Sequence, residues 1–225
     1  MSMDKLKPNK SELEALNLFY NRFYDLYNEI ISNDFLLNDP KVRFYKIREI
    51  FTVYKELLSY EPIKYYVNYV KNGGRPSLEG VIIDDLFSFI RNTLSHFPVF
   101  DDWNSVYINK NLATWIKPGM IDKFLMKCIK IKINGKGIVK YRIWEKDKKK
   151  MTYISVNLPE KYDANNIYLK DIISEENGLK LCVSFMKQVL DTQVENNDEP
   201  NIVIMSQIYV PATRCAIVAD IEDYK

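Results

Sequence analysis

The chain has 225 residues, 47% of them apolar and 28% charged, enough for one substantial core and ordinary for a folded globular protein. Its formal charge of +2 lacks the global basic footprint of a tight nucleic-acid binder, which argues against a DNA-coating role but not against an enzyme that touches RNA locally. Glycine is scarce (7 residues) while tyrosine (16) and phenylalanine (11) are abundant, so packed elements are expected rather than long linkers.

No stretch approaches the roughly 20 apolar residues that span a bilayer. The N-terminal MSMDKLKPNKSELE is polar and lacks the apolar core of a signal peptide. A cytoplasmic location without membrane partners is therefore expected. Cys128, Cys182 and Cys215 stand alone, with no CxxC spacing and a single histidine in the chain. A zinc centre is not expected from such a set, and three reduced, mostly buried thiols are. Neither a metal nor a cofactor is expected.

The first helix is predicted in SELEALNLFYNRFYDLYNEIIS, where Ser11 and Glu14 have capping-box spacing. Leu16, Phe19, Phe23, Leu26 and Ile30 form a three-four stripe, which Tyr20, Tyr24 and Tyr27 widen. Those tyrosines could stack on nucleobases, but aromatic residues at helical spacing more often fill a core. Asp39 and Pro40 read as N-cap and first helical residue of KVRFYKIREIFTVYKELLSY, which the Glu61–Pro62 step should interrupt. A shorter helix, IKYYVNYVKN, ends at Gly73 and Gly74. The GGRP segment has neither a strand before it nor GK[ST] after it, so it reads as a turn. Ser77 is placed to cap LEGVIIDDLFSFIRNTLSHF, which stops before Pro98. NLATWIKPGMIDKFLMKC reads as a turn and then a short helix from about Pro118.

Near residue 129 the pattern changes. IKIKINGKG, IVKYRIWEK and MTYISVNLP alternate apolar with polar residues, as strands do. KDKKK between the last two is a hairpin turn in character; its lysines could steer a polyanion, but a solvated, charged turn is the commoner meaning. A helix returns at SEENGLKLCVSFMKQVLDTQVE with Leu179, Cys182, Met186 and Leu190 as its stripe, and Asn197 to Pro200 ends it. The tail from Ile202 has room for one more strand. The expected fold is mainly α (α+β): a helical domain over 1–197 with a β-hairpin insertion at 129–160, and a C-terminal tail at 198–225.

The helix from Ile83 to Phe97 carries the chain's only histidine, His96. Ile83, Leu86, Phe87, Ile90, Leu94 and Phe97 gather on one face, while Arg91, Asn92, Ser95 and His96 span an opposite arc of about 140°. Asp84, Asp85 and Ser88, one to two turns back, fall on that same arc. Cutting RNA without a metal needs a base for the ribose 2′-hydroxyl, an acid for the leaving 5′-oxygen and a cation for the phosphorane. Histidine suits the proton transfers. Arginine, always charged and fork-shaped, suits the phosphate oxygens. An asparagine beside the histidine would fix its tautomer or orient the phosphate.

RNTLSH, residues 91–96, resembles the R-N-x-x-x-H motif of the HEPN superfamily (higher eukaryotes and prokaryotes nucleotide-binding). Members bearing it include ribonucleases of toxin–antitoxin, abortive-infection and type VI CRISPR systems. The resemblance implies an up-and-down helical bundle and a metal-independent endoribonuclease leaving a cyclic phosphate and a 5′-hydroxyl. It implies Arg91 and His96 as the catalytic pair with Asn92 in support; Asp84, Asp85, Ser88 and Ser95 are candidate supporting residues only because they share the polar arc. It also implies a homodimer in which two motifs face each other, with RNA as substrate and an antitoxin protein as a candidate partner. The motif covers six residues, and 126–165 is not part of a minimal HEPN domain. Some HEPN toxins carry a tyrosine two residues after the histidine that a partner enzyme modifies; Pro98 stands there in this chain, so that form of control is not supported. Three other readings stay open: a catalytically inactive HEPN-like module that binds RNA or a nucleotide, an interaction scaffold, or a structural partner protein. In those cases Arg91 would pair with Asp84 or a neighbouring helix, and His96 would bond a last-turn carbonyl.

Overall fold

In the computed structural model the described residues are 9–60, 64, 77–96, 101–109, 138–145, 148–157 and 166–195. Helix α1 runs Lys10–Ile31 and is capped by Asn9. The Glu12 amide donates to the Asn9 side chain at 2.9 Å, and the Asn9 amide donates to the Glu12 carboxylate at 2.8 Å. The capping box expected at Ser11 and Glu14 therefore lies inside the helix instead. The same spacing recurs at Asn9 and Glu12, and the earlier start lengthens the helix while closing the same two orphan donors. Leu16, Tyr20, Phe23, Tyr24, Leu26 and Ile30 are buried, and Phe19 and Tyr27 lie half-buried beside them. Tyr20 and Tyr24 are thus core residues.

After a 3₁₀ turn at Phe35–Leu37, Asp39 accepts the Lys41 amide at 2.8 Å and Pro40 opens helix α2, Pro40–Leu57, as expected. Phe44, Ile47, Ile50, Phe51, Val53, Tyr54 and Leu57 turn inward against α1. Arg22–Glu49 and Lys46–Glu29, each at 2.6 Å, bridge the solvent side of the pair. Such exposed pairs contribute little; the buried faces hold the helices together.

Helix α3 is Ser77–His96. Its Phe87 ring meets Phe51 (5.8 Å, 84°) and Tyr54 (6.0 Å, 82°) of α2 edge to face, and Phe185 at 5.8 Å. Phe185 belongs to helix α4, Lys180–Glu195; Leu179, Cys182, Met186 and Leu190 are buried as the sequence predicts, and Val183 and Val189 are buried beside them. Helix α4 packs on α1, and the Lys180 ammonium donates to the Ser32 carbonyl at 3.1 Å.

Two small antiparallel pairings complete the described fold. Strand β1, Tyr107–Asn109, runs against β4, Asn166–Tyr168, with Ile108 opposite Ile167. Periodicity does not announce them, because three residues carry no readable alternation. Strands β2, Ile138–Glu145, and β3, Lys150–Asn157, form the expected hairpin, in register from Ile138↔Asn157 to Glu145↔Lys150. Ile154 and Val156 are buried, and β3 packs on α4 while β2 packs on α3. The Asn157 amide also donates to the Ile172 carbonyl at 3.1 Å. The hairpin is therefore seated on the helices, not extended into solvent. The molecule is mainly helical, with four α-helices among the described residues. No described helix is long and apolar enough to cross a membrane. The helix expected over IKYYVNYVKN (apart from Lys64), the GGRP turn, the helix from Pro118, the strand at 129–137 and the tail lie outside the described residues.

Between β4 and α4 the chain makes a 3₁₀ turn at Leu169–Asp171 and a π-helical turn at Glu175–Leu179, where the Leu179 amide reaches back five residues to the Ser174 carbonyl at 2.9 Å. The Ile173 side chain lies against Gly178: a Cβ added there would sit 2.3 Å from Ile173 Cγ1. Ile173 is buried and its carbonyl accepts the Trp103 indole N–H at 2.9 Å, so it cannot easily yield. Gly178→Ala is therefore expected to destabilise the fold by about 1–3 kcal/mol, measured by chemical denaturation. A variant as stable as the parent would show that the π turn tolerates a side chain.

Candidate functional site

The end of α3 is organised by its packing. Leu86, Phe87, Phe89, Ile90, Thr93 and Leu94 are buried and cover an arc of about 160°. Phe89 and Thr93 extend that face beyond the expected stripe, because neighbouring elements cover the helix on that flank as well. Thr93 lies inside RNTLSH and is satisfied locally, its hydroxyl donating to the Phe89 carbonyl at 2.8 Å.

The remaining arc holds the polar residues. Ser88, Arg91, Asn92 and Ser95 are half-buried and His96 is exposed. All five lie on the side that the sequence assigns to them. Asp84 and Asp85 belong to the same helix, but their side chains lie outside the described residues. No hydrogen bond joins Asn92 to His96, so the contact that their one-turn spacing permits is not made in the free chain. Arg91 and His96 sit about 7.5 Å apart along the axis and about 140° apart around it. They flank the polar arc from opposite sides, and one α3 does not aim both at a single small group.

Arg91 is the unusual member. Its Nε is buried and has no hydrogen-bond partner. A desolvated donor without an acceptor costs about 1–3 kcal/mol, and native proteins hold few of them. The ion pairs Arg22–Glu49, Lys46–Glu29 and Arg43–Glu175 do not include Arg91.

Arg43 shows what a structural arginine looks like in this chain. Its Nε, like that of Arg91, is buried without an aligned hydrogen bond, but it lies 3.0 Å from Glu175 Oε1 as an ion pair, and its Nη1 donates to the carbonyls of Leu36 (2.5 Å) and Asn38 (3.2 Å). Burial pushes the Glu175 carboxyl above its usual range, Arg43 pulls it back, and the charge of Asp102 adds to the rise. This cluster ties the π turn to α2. Local pattern could not reveal it, because its members come from separate parts of the chain.

The other residues singled out in the sequence have structural roles. Lys187 lies over the rings of Tyr24 (5.6 Å) and Tyr27 (5.5 Å), closing that aromatic edge. Cys182 is fully buried, which pushes its thiol far up and leaves it unreactive. Cys128 and Cys215 lie outside the described residues. Among the described residues, no three His, Cys, Asp or Glu side chains gather where a metal ion would sit.

The contrast between the two arginines is measurable. Arg91→Met is expected to leave stability within about 1 kcal/mol of the parent, or to raise it, because it removes an unsatisfied donor and keeps the apolar stem. Arg43→Met leaves Glu175 alone and is expected to cost about 3 kcal/mol or more. Equal losses in denaturant melts would make Arg91 a structural residue. The chain matches no protein-family model, no curated protein and no solved structure, so the case for a site rests on its own residues.

Proposed function

We propose that the chain is a metal-independent endoribonuclease of the HEPN type, with Arg91, Asn92 and His96 of α3 as its catalytic residues. The observation that carries the reading is Arg91: a guanidinium with a dry, unpartnered Nε, on the same arc as Asn92 and the exposed, sole histidine. A cation held at a cost to the free protein is poised for an anion it has yet to meet.

In this reaction the ribose 2′-oxygen attacks phosphorus while the bond to the 5′-oxygen breaks. The products are a 2′,3′-cyclic phosphate and a 5′-hydroxyl. One proton leaves the nucleophile and one reaches the leaving oxygen, on opposite sides of the phosphorus. His96 serves the proton transfers, Arg91 neutralises the charge that grows on the equatorial oxygens, and Asn92 orients the phosphate or the imidazole. Ser88, Ser95, Asp84 and Asp85 have supporting places at most.

Each chain has one histidine, yet in-line displacement calls for both a base and an acid. A second copy supplies the other imidazole, so the working enzyme is a homodimer with a composite cleft. The divergence of Arg91 and His96 around one helix supports the same conclusion. The helical part of the chain is then a HEPN-like bundle in a cytoplasmic protein, in a toxin–antitoxin, abortive-infection or other antiphage setting, with RNA as substrate and an antitoxin as a candidate partner. That setting comes from the motif's resemblance alone.

The test is cleavage of end-labelled single-stranded RNA in excess EDTA. The wild type is expected to cut, leaving cyclic-phosphate ends. Arg91→Ala and His96→Ala are each expected to slow cutting by at least roughly 10²-fold, and Asn92→Ala by less. Cutting that survives both substitutions would remove these residues from the mechanism. No cutting by the wild type in any RNA context would favour a binding module.

A further inference from the structure

The net charge of +2 conceals a segregation. Residues 127–157 hold ten Lys and Arg against two Asp and Glu, a local charge of +8, so the rest of the chain carries −6. This segment includes the β2–β3 hairpin. Its inner face is apolar, with Ile154 and Val156 buried, while Met151 and Tyr153 on the outer face are 45% and 44% exposed.

Directly opposed residues of an antiparallel pair share a face. The register sets Trp144 opposite Met151, Arg142 opposite Tyr153, and Lys140 opposite Ser155. This face thus holds Tyr153 with Arg142 at the register position across from it, and Trp144 and Lys140 one pair away on either side. At the turn end of the hairpin Lys148, Lys149 and Lys150 are all exposed, Lys150 standing opposite Glu145 on the other register face. Lys149 takes a left-handed backbone (φ 46°), where glycine or asparagine would sit with less strain. A third lysine at that turn is a costly way to make a bend and a direct way to add charge.

We infer that the outer face of the β2–β3 hairpin is a docking surface for single-stranded RNA. The inference rests on the reading of α3 as an RNA-cleaving site and supplies what that site lacks, a place to hold the strand. Cations track a phosphate backbone, while exposed rings stack on bases without regard to sequence. Here the exposed Tyr153 ring shares a sheet face with the register positions of Arg142 and Lys140. A protein partner would call for a broader apolar patch than the Trp144, Met151 and Tyr153 positions make. Strand β2 packs against α3, so the face belongs to the element beside the motif helix.

The experiment uses the full chain and a 5′-labelled oligouridylate methylated at every 2′-oxygen, which cannot be cleaved because its nucleophile is blocked. Binding is read by fluorescence anisotropy across a salt series. Tyr153→Ala is expected to weaken binding roughly 5- to 100-fold, the worth of one stacked base, while Tyr153→Phe binds as the parent does. Replacing Lys148, Lys149 and Lys150 with serine is expected to flatten the log–log salt slope by about 2, at about 0.7 per phosphate contact. All these side chains are exposed, and circular dichroism checks that each variant folds. Unchanged affinity and salt slope in both variants would overturn the proposal, even if they lost binding to phosphatidylserine vesicles or to a protein. Because the ligand cannot react, a failure of the catalytic reading would appear only in the cleavage assay, and a failure of the docking surface only here.

Discussion

The contact of the Phe87 ring with Phe51, Tyr54 and Phe185 sets the geometry of everything discussed above. One side chain of α3 touches two helices, α2 and α4, through close aromatic contacts that fix its angle as well as its position. A helix so pinned cannot rotate about its axis without breaking them. Its remaining side chains are then assigned to inside or outside at about 100° per residue. Arg91, one turn beyond Phe87, falls at the border of the buried arc. Its stem lies beside the core while its Nε is shut off from water without gaining an acceptor. The unusual state of Arg91 is a consequence of where Phe87 is held.

Much of this was legible in the sequence wherever the signal is local and periodic. The stripes of α1 and α4, the Asp39–Pro40 start of α2, the apolar face of α3 and the alternation of β3 each repeat often enough to identify an element. The start of α1 was ambiguous because Asn9–Glu12 and Ser11–Glu14 both satisfy the capping spacing, and only the fold selects between them. The β1–β4 pairing is too short to show a period. The π turn depends on Ile173 lying against Gly178, and the burial of Phe89 and Thr93 depends on what packs against their flank. Those are contacts between distant parts of the chain. The six residues of the candidate motif were readable and so was the outward face of Arg91, Asn92, Ser95 and His96; the unpartnered Nε of Arg91 was not. Charge misled in another way, since a single net figure averaged a basic hairpin against an acidic remainder.

The proposed reading joins two elements that the fold sets side by side. Helix α3 presents an arginine, an asparagine and an imidazole on a surface that the free chain leaves partly open. The hairpin against it combines positive charge with the exposed ring of Tyr153, and an enzyme that must hold a long polyanion while acting on one phosphate needs both kinds of surface. Affinity spread along the strand raises the local concentration of substrate, while the few groups at the phosphate act on the transition state. An Arg91 Nε without an acceptor is expected to cost some stability, as preorganised sites commonly do.

A single histidine makes the central claim directly observable, because the imidazole of His96 gives one Cε1–Hε1 signal in a carbon–proton correlation spectrum. Titration with the fully 2′-O-methylated oligouridylate is expected to move that signal along the same binding curve that anisotropy reports. In Arg91→Ala the movement should be smaller or lost. An oligonucleotide that binds while the His96 signal stays fixed would contradict the account, because RNA would then be held away from the residues assigned to cut it.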